Sequence, residues 1–204
     1  MSKSALVVLI LTGIVLIIII SFVVLERQEQ LYVRSPLLLN ERPVVTYIVG
    51  EAELYTSSDK GGDEWESLEV GRRLRKGDVV RTMAESSLDL RFSDRTAIRL
   101  AENTLVALNE TTLRQLTLGI KEGTVFAKFE KIFKQQEFGV ETPSAVAGIR
   151  GTELVFTVNE ESTSITALSG ITEIYNPEFP NQRLLLAFQK RTTVTKGKGP
   201  SEPE

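Results

Sequence analysis

The chain has 204 residues, room for one domain of about 150 residues and an appendage. Its 24 Lys and Arg against 27 Asp and Glu give a net charge of −3, which argues against the basic footprint of a nucleic-acid binder. It contains neither Cys nor His, which excludes disulfides, thiolate metal sites and the Ser-His-Asp and Cys-His catalytic arrangements.

Residues 1–4 are a short polar tail. Ala5 to Leu25 is an uncharged run of 21 residues, 17 of them Leu, Ile, Val or Phe. A membrane-spanning helix needs about 20. A cleaved signal peptide would have an apolar stretch of only about 7–15 residues and an A-x-A-like site behind it. Val23-Val24-Leu25-Glu26-Arg27 has no such site, so the run reads as one retained transmembrane helix. Lys3 on one side and Arg27 and Arg34 on the other leave the orientation undecided by charge. Residues 26–43 read as a juxtamembrane linker with Pro36 and Pro43. Its Leu37-Leu38-Leu39 packs either on the domain or at the lipid headgroups.

Residues 44–195 have an all-β texture. Val44 to Val49 and Ala52 to Tyr55 read as strands about Gly50-Glu51, and Thr56 to Glu64 as an exposed loop. Gly71 and Gly77-Asp78 are turn signals. Leu88, Leu90 and Phe92 alternate with polar residues, as do Ile98 with Leu100 and Val106 with Leu108. Leu116, Leu118 and Ile120 are separated by Gly123 from Val125, Ala127 and Phe129. Lys128 to Glu137 reads as a helical interruption or a solvated loop. Strands at Phe138–Val140 and Leu154–Val158 flank T-P-S-A-V-A-G-I-R-G-T. There Gly148 and Gly151, three apart, predict a tight reversal with φ > 0 or close backbone approach. Ile165–Leu168, Ile171–Tyr175, Leu184–Phe188 and Thr192–Thr195 complete the strands. Residues 196–204, rich in Gly, Pro and charge, read as a disordered tail. Turns every 8–12 residues fit a sandwich, barrel or solenoid.

Candidate chemistry is sparse. The carboxylates, such as Asp63-Glu64, Asp89, Asp94, Glu102 and Glu160-Glu161, fall at turns or on the solvent phase of strands, as a solvated surface requires. The reading is a protein that is not an enzyme and needs no cofactor or metal. Gly148-Ile149-Arg150-Gly151 matches the G-x-x-G spacing of KH loops, but its flanks are strands rather than helices. Gly71 to Asp78 lacks the context of a phosphate loop. Arg150 reads as a fork that ties down its turn, through Asp78 or nearby carbonyls; the rival is a guanidinium displayed for a partner. Trp65 reads as core rather than as a ligand platform.

Three blocks in order resemble FecR-like domains. The first runs from Trp65-Glu66-Ser67-Leu68 through Gly71 and Gly77-Asp78 to Thr82. The second is Ser86 to Leu100. The third is Thr142, Pro143, Ala145, Gly148, Ile149, Arg150, Gly151, Thr152 and Leu154. The resemblance favours a solenoid-like stack of short strands, with a β-sandwich as the alternative. Its signature residues, Trp65, Gly71, Gly77, Asp78, Thr82, Thr142, Pro143, Gly148, Arg150, Gly151 and Thr152, are read as structural. It also implies a domain on the periplasmic side of a bacterial inner membrane, held there by Ala5–Leu25. Relatives that regulate sigma factors carry a long cytoplasmic segment before the anchor, and residues 1–4 are too short for one. The expectation is therefore a protein-interaction module whose partner is another envelope protein, without an anti-sigma segment and without nucleic acid. Alternatives are a glycan- or peptidoglycan-binding module stacking sugars on Trp65 and Tyr55, and an accessory part of cell-surface signalling.

Overall fold

From Val44 onward apolar residues alternate with polar ones, so each strand can bury one face and solvate the other. The computed structural model describes residues 42–56, 64–112, 114–130 and 137–204, all within the unit 38–204. These residues are all-β. Among them no helix is long and apolar enough to cross a membrane. The Ala5–Leu25 run, the Leu37–Leu39 triplet and most of the expected 56–64 loop and 128–137 interruption lie outside them.

The strands are β1 (Val44–Val49), β2 (Ala52–Tyr55), β3 (Trp65–Ser67), β4 (Val79–Thr82), β5 (Ser87–Arg91), β6 (Ala97–Leu100), β7 (Leu105–Thr111) and β8 (Gln115–Phe129). They continue with β9 (Glu137–Glu141), β10 (Val146–Ile149), β11 (Thr152–Val158), β12 (Ser162–Ser169), β13 (Ile171–Tyr175), β14 (Arg183–Ala187) and β15 (Arg191–Thr195). They form one mixed sheet with two branches. The first runs β3-β2-β4-β7-β8-β9-β10-β13-β14 and the second β1-β5-β6-β8-β11-β12-β15. Only β8–β9 is parallel among the described pairings. The chain fills the branches alternately, with β5 and β6 in the second, β9 and β10 in the first, β11 and β12 in the second, and β13 and β14 in the first.

Strand β8 belongs to both branches. Its residues 115–122 pair with β7 and β9, and residues 123–129 pair with β6 and β11. Gly123, which stands between two apolar runs in the sequence, therefore does not turn the chain back. It hands one continuous strand from branch to branch. Inward-facing Leu54, Val80, Val106 and Leu118 of the first branch and Leu90, Leu100, Phe156 and Ile165 of the second join one core. Each large buried side chain contributes about 1.5–3 kcal/mol.

The carboxy-terminal tail differs from the expectation. Ser201 donates its N–H to Thr193 O (2.9 Å), and Glu204 and Arg191 exchange backbone bonds of 3.0 Å. Asn176 Nδ2 donates to Lys198 O at 2.7 Å. Composition predicted disorder because the segment has little to bury, but the open edge of β15 supplies partners for its backbone. The domain also starts slightly earlier than Val44, since Pro43 is buried and its carbonyl accepts from Leu74 N (2.8 Å).

Candidate functional site

The signature residues first have to be placed by what they hold. Gly77 adopts φ 88 and donates its N–H to Leu108 O at 2.8 Å, which starts the β4–β7 pairing. Asp78 is buried. Its carboxylate accepts from Arg75 N (2.9 Å) and Thr56 Oγ1 (3.2 Å), and Arg75 Nε stands 3.5 Å away. Buried Thr82 donates to Ala101 O at 2.5 Å and accepts from Thr104 N at 3.1 Å. Thr142 closes a turn across exposed Pro143, its hydroxyl accepting from Ala145 N (2.9 Å) and lying 2.7 Å from Thr163 Oγ1. Thr152 Oγ1 on β11 meets Thr172 Oγ1 on β13 at 3.2 Å, joining the two branches.

Sequence reasoning missed half of this network. Thr104, Thr163 and Thr172 are buried and complete the pairs begun by Thr82, Thr142 and Thr152. The available signal was their phase: Thr163 alternates with Ile165 and Ala167, and Thr172 with Ile174, on the inward face. A buried hydroxyl needs a partner, so threonines in a core phase announce one another.

Three expectations are corrected. Trp65 is not core. It sits half-buried on the edge strand β3, its ring 5.6 Å from that of Tyr55, with the Arg81 guanidinium 3.9 Å over it. Arg81 is in turn bound to Glu53 through Nε at 2.6 Å. The strand has only three residues and lies at the end of a branch, where one ring face has no layer to enter. Gly148 is not part of the reversal either. It is an exposed position within β10, and a Cβ there would have no atom nearer than 4.0 Å. Only Gly151, at φ 100, supplies the left-handed backbone of the turn.

Arg150 is the third. It is exposed, and among the described residues it has no hydrogen bond or ion pair, while Asp78 is satisfied by Arg75 and Thr56. The turn is tied to β13 by the Thr152 hydroxyl, which meets Thr172 Oγ1, rather than by a guanidinium fork. Gly151→Val should therefore cost about 1–3 kcal/mol through positive φ, whereas Arg150→Ala should stay within about 0.5 kcal/mol of the parent. Urea unfolding of both variants checks the contrast; an Arg150→Ala loss above about 1 kcal/mol would restore the fork.

The displayed guanidinium has apolar company. The β12–β13 turn packs on the β10–β11 turn so closely that a Cβ on Gly170 would lie 2.6 Å from Gly151 O. That second turn is flanked by Leu168 and Ile171, both about half exposed. Leu168 also lines an open groove of about 540 Å³ on the outer face of the second branch, with Asp89, Arg99, Phe126, Lys128 and Glu153. Phe126 is 46% exposed at the groove's centre, on the outward phase of β8.

Two ion pairs border it. Arg99 Nε lies 2.6 Å from Asp89 Oδ1 and Lys128 Nζ 2.8 Å from Glu153 Oε1. Hydrogen bonding to Asp89 holds the Arg99 guanidinium above its ordinary pKa, and Glu153 does the same for the Lys128 ammonium. The groove thus has an apolar centre bordered by two ion pairs. Among the described residues no cluster of three or more metal-binding side chains occurs.

Residues 78–172 match the model of the FecR protein family, which covers β4 to the start of β13, takes in the end of the first block from Asp78 to Thr82, and leaves Trp65 to Gly77 outside. Among solved structures the chain is similar to a candidate anti-sigma factor from Parabacteroides distasonis ATCC 8503, solved at 1.65 Å. The TM-score is 0.51 at 18% identity, over 59% of this chain and 56% of that one. A second structure of the same description, at 2.50 Å, gives 0.38 at 17% identity over 58% and 50%. The chain thus spans little more than half the length of the first structure, and the likeness at this identity is one of fold. No curated protein matches.

Proposed function

Because residues 78–172 are a FecR-like domain, we propose that this chain is a signalling-related protein-interaction module, anchored in a bacterial inner membrane by Ala5–Leu25 with its domain on the periplasmic side. The observation that carries the binding part is the groove around Phe126 and Leu168 with unpaired Arg150 on the adjoining turn. Its partner is an envelope protein that offers an apolar side chain for the groove and a carboxylate for Arg150. The anchor rests on the length and apolarity of the 5–25 run, and the compartment on the family resemblance. The similarity to a candidate anti-sigma factor is consistent with a place in cell-surface signalling. The alternating filling of two branches is read as solenoid-like winding around a single core, rather than as two independent sandwich layers.

The glycan reading is less well served. It needs the faces of Tyr55 and Trp65, and Arg81 already occupies one face of Trp65 at 3.9 Å. Catalysis has no support in the groove's chemistry.

A photo-reactive residue replacing Phe126 or Leu168 in the full chain, irradiated in living cells, should give one discrete heavier adduct. The same residue at Glu66, on the far branch, should give none. Adding Arg150→Ala should remove the adduct without lowering the amount of protein. Equal adducts from all three sites, or none from the groove, would refute the groove as the binding surface. For topology, Glu66→Cys should react with a membrane-impermeant maleimide once the outer membrane is permeabilised. Reaction only after the inner membrane is breached would invert the orientation.

A further inference from the structure

A strand at the end of a branch presents unpaired backbone groups, and proteins commonly blunt such edges. Among the described strands the branches have four ends, and three of them are blunted. Strand β3 is only three residues long and carries exposed Glu66, paired with Arg72 at 2.6 Å. Strand β1 is bulged between Val45 and Tyr47 and covered at its start by residues 71–74, with Gly71 N to Val45 O and Leu74 N to Pro43 O both 2.8 Å. Strand β15 is covered by Ser201 and Glu204. Among the described residues, strand β14 has no such device. Apart from β13, its only described backbone hydrogen bond is Lys190 N to Ala187 O, within the turn that follows it.

The side chains on β14 suit pairing as well. Its sequence is Arg-Leu-Leu-Leu-Ala, without Pro or Lys. Leu185 is 66% exposed on its outer face, opposite Glu173 of β13 and diagonal to Ile171, itself 57% exposed. Leu184 is only half-buried at the rim of the core. Arg183, the one charge, is already paired with Glu173 and stacked over Tyr175 at 4.9 Å.

We propose that β14 is the seam of a two-fold dimer in which it pairs antiparallel with β14 of a second copy of this chain, centred on Leu185. Among antiparallel registers, only this one pairs all five residues of the strand with all five of its copy. It sets Leu185 against Leu185 and Leu184 against Leu186, and each Arg183 faces an Ala187. Apolar residues therefore meet apolar ones on both faces, and no like charges stand opposite each other. The contact is isologous, so it closes at two copies instead of propagating. The self-complementarity of the strand favours a second copy over a foreign segment.

The natural chain has no cysteine, so single cysteines can read the register directly. Directly opposed residues have Cβ atoms about 4.5–5.5 Å apart, close to the reach of a disulfide. Leu185→Cys in the full chain, oxidised in the cells that express it, should give a band of twice the monomer mass that reductant removes. Arg183→Cys alone should not, since two copies of that position lie about 14 Å apart along the strands. Co-expressed Arg183→Cys and Ala187→Cys chains should give the mixed dimer. A Leu185→Cys chain that reacts with maleimide yet forms no dimer would overturn the proposal. So would equal crosslinking from Leu185, Arg183 and Glu66, which would mark random collision, or a Leu185 adduct of another mass, which would mark a foreign strand.

Discussion

Alanine in place of Gly123 should cost the domain about 3 kcal/mol or more, and valine should prevent folding. Gly123 stands where β8 passes between branches, at φ 94. A Cβ there would lie 2.5 Å from Thr104 Cα and 2.7 Å from Asn103 O. Both obstacles are backbone, and Thr104 cannot retreat because its hydroxyl accepts from Thr124 N at 3.0 Å. Left-handed strain of about 1–3 kcal/mol is thus compounded by overpacking of similar size. Gly71→Ala is the internal control: at φ 90, with nothing within 4 Å of its Cβ, it carries the strain alone. Urea midpoints at constant slope give both numbers. If alanine at 123 costs no more than alanine at 71, the crossing at β8 is not sterically locked.

Thr82→Val should be nearly as damaging although it changes no volume. The hydroxyl bridges Ala101 O and Thr104 N, binding β4 to the turn after β6. Valine leaves both backbone groups without that partner at a buried site, at about 1–3 kcal/mol for each. Thr82→Ser keeps both bonds and should lose only about 1 kcal/mol, the value of its methyl. A valine variant as stable as the serine variant would show that the hydroxyl is not what joins the branches. The two variants together with Gly123→Ala probe one locus, the Glu102–Thr104 turn, so their effects should be less than additive.

Much of the architecture was legible because a half-buried strand has a period of two. Val44–Val49, Ala52–Tyr55 and Ile171–Tyr175 are strands as read, with those boundaries. Leu88, Leu90, Ile98 and Leu100 are core because they hold the inward phase. Gly77-Asp78 and Gly151 were legible as turns because few side chains tolerate positive φ. The misplacements share a different origin. Trp65 followed the average behaviour of tryptophan, but an edge strand of three residues cannot bury both of its faces. Arg150 was assigned a partner because its neighbours are chosen for backbone geometry, yet the carboxylate proposed for it was already bound by nearer donors. The tail's composition says nothing about an open edge that happens to lie beside it.

The sequence by itself thus determined most of the strands and their inward faces, the turns at Gly77 and Gly151 and the family resemblance, because each depends on local period or backbone conformation, while β10 at Val146–Ile149 was hidden in what reads as a turn segment. Tertiary structure alone decided the rest. It brought Thr82 to Thr104 and Thr152 to Thr172, residues about 20 positions apart. It made Gly123 the crossing between branches, gathered Phe126 and Leu168 into one groove, and left β14 as the bare edge among the described strands. Those outcomes depend on which strand lies beside which, and pairing between distant segments is set by the fit of the whole sheet, which no local pattern encodes.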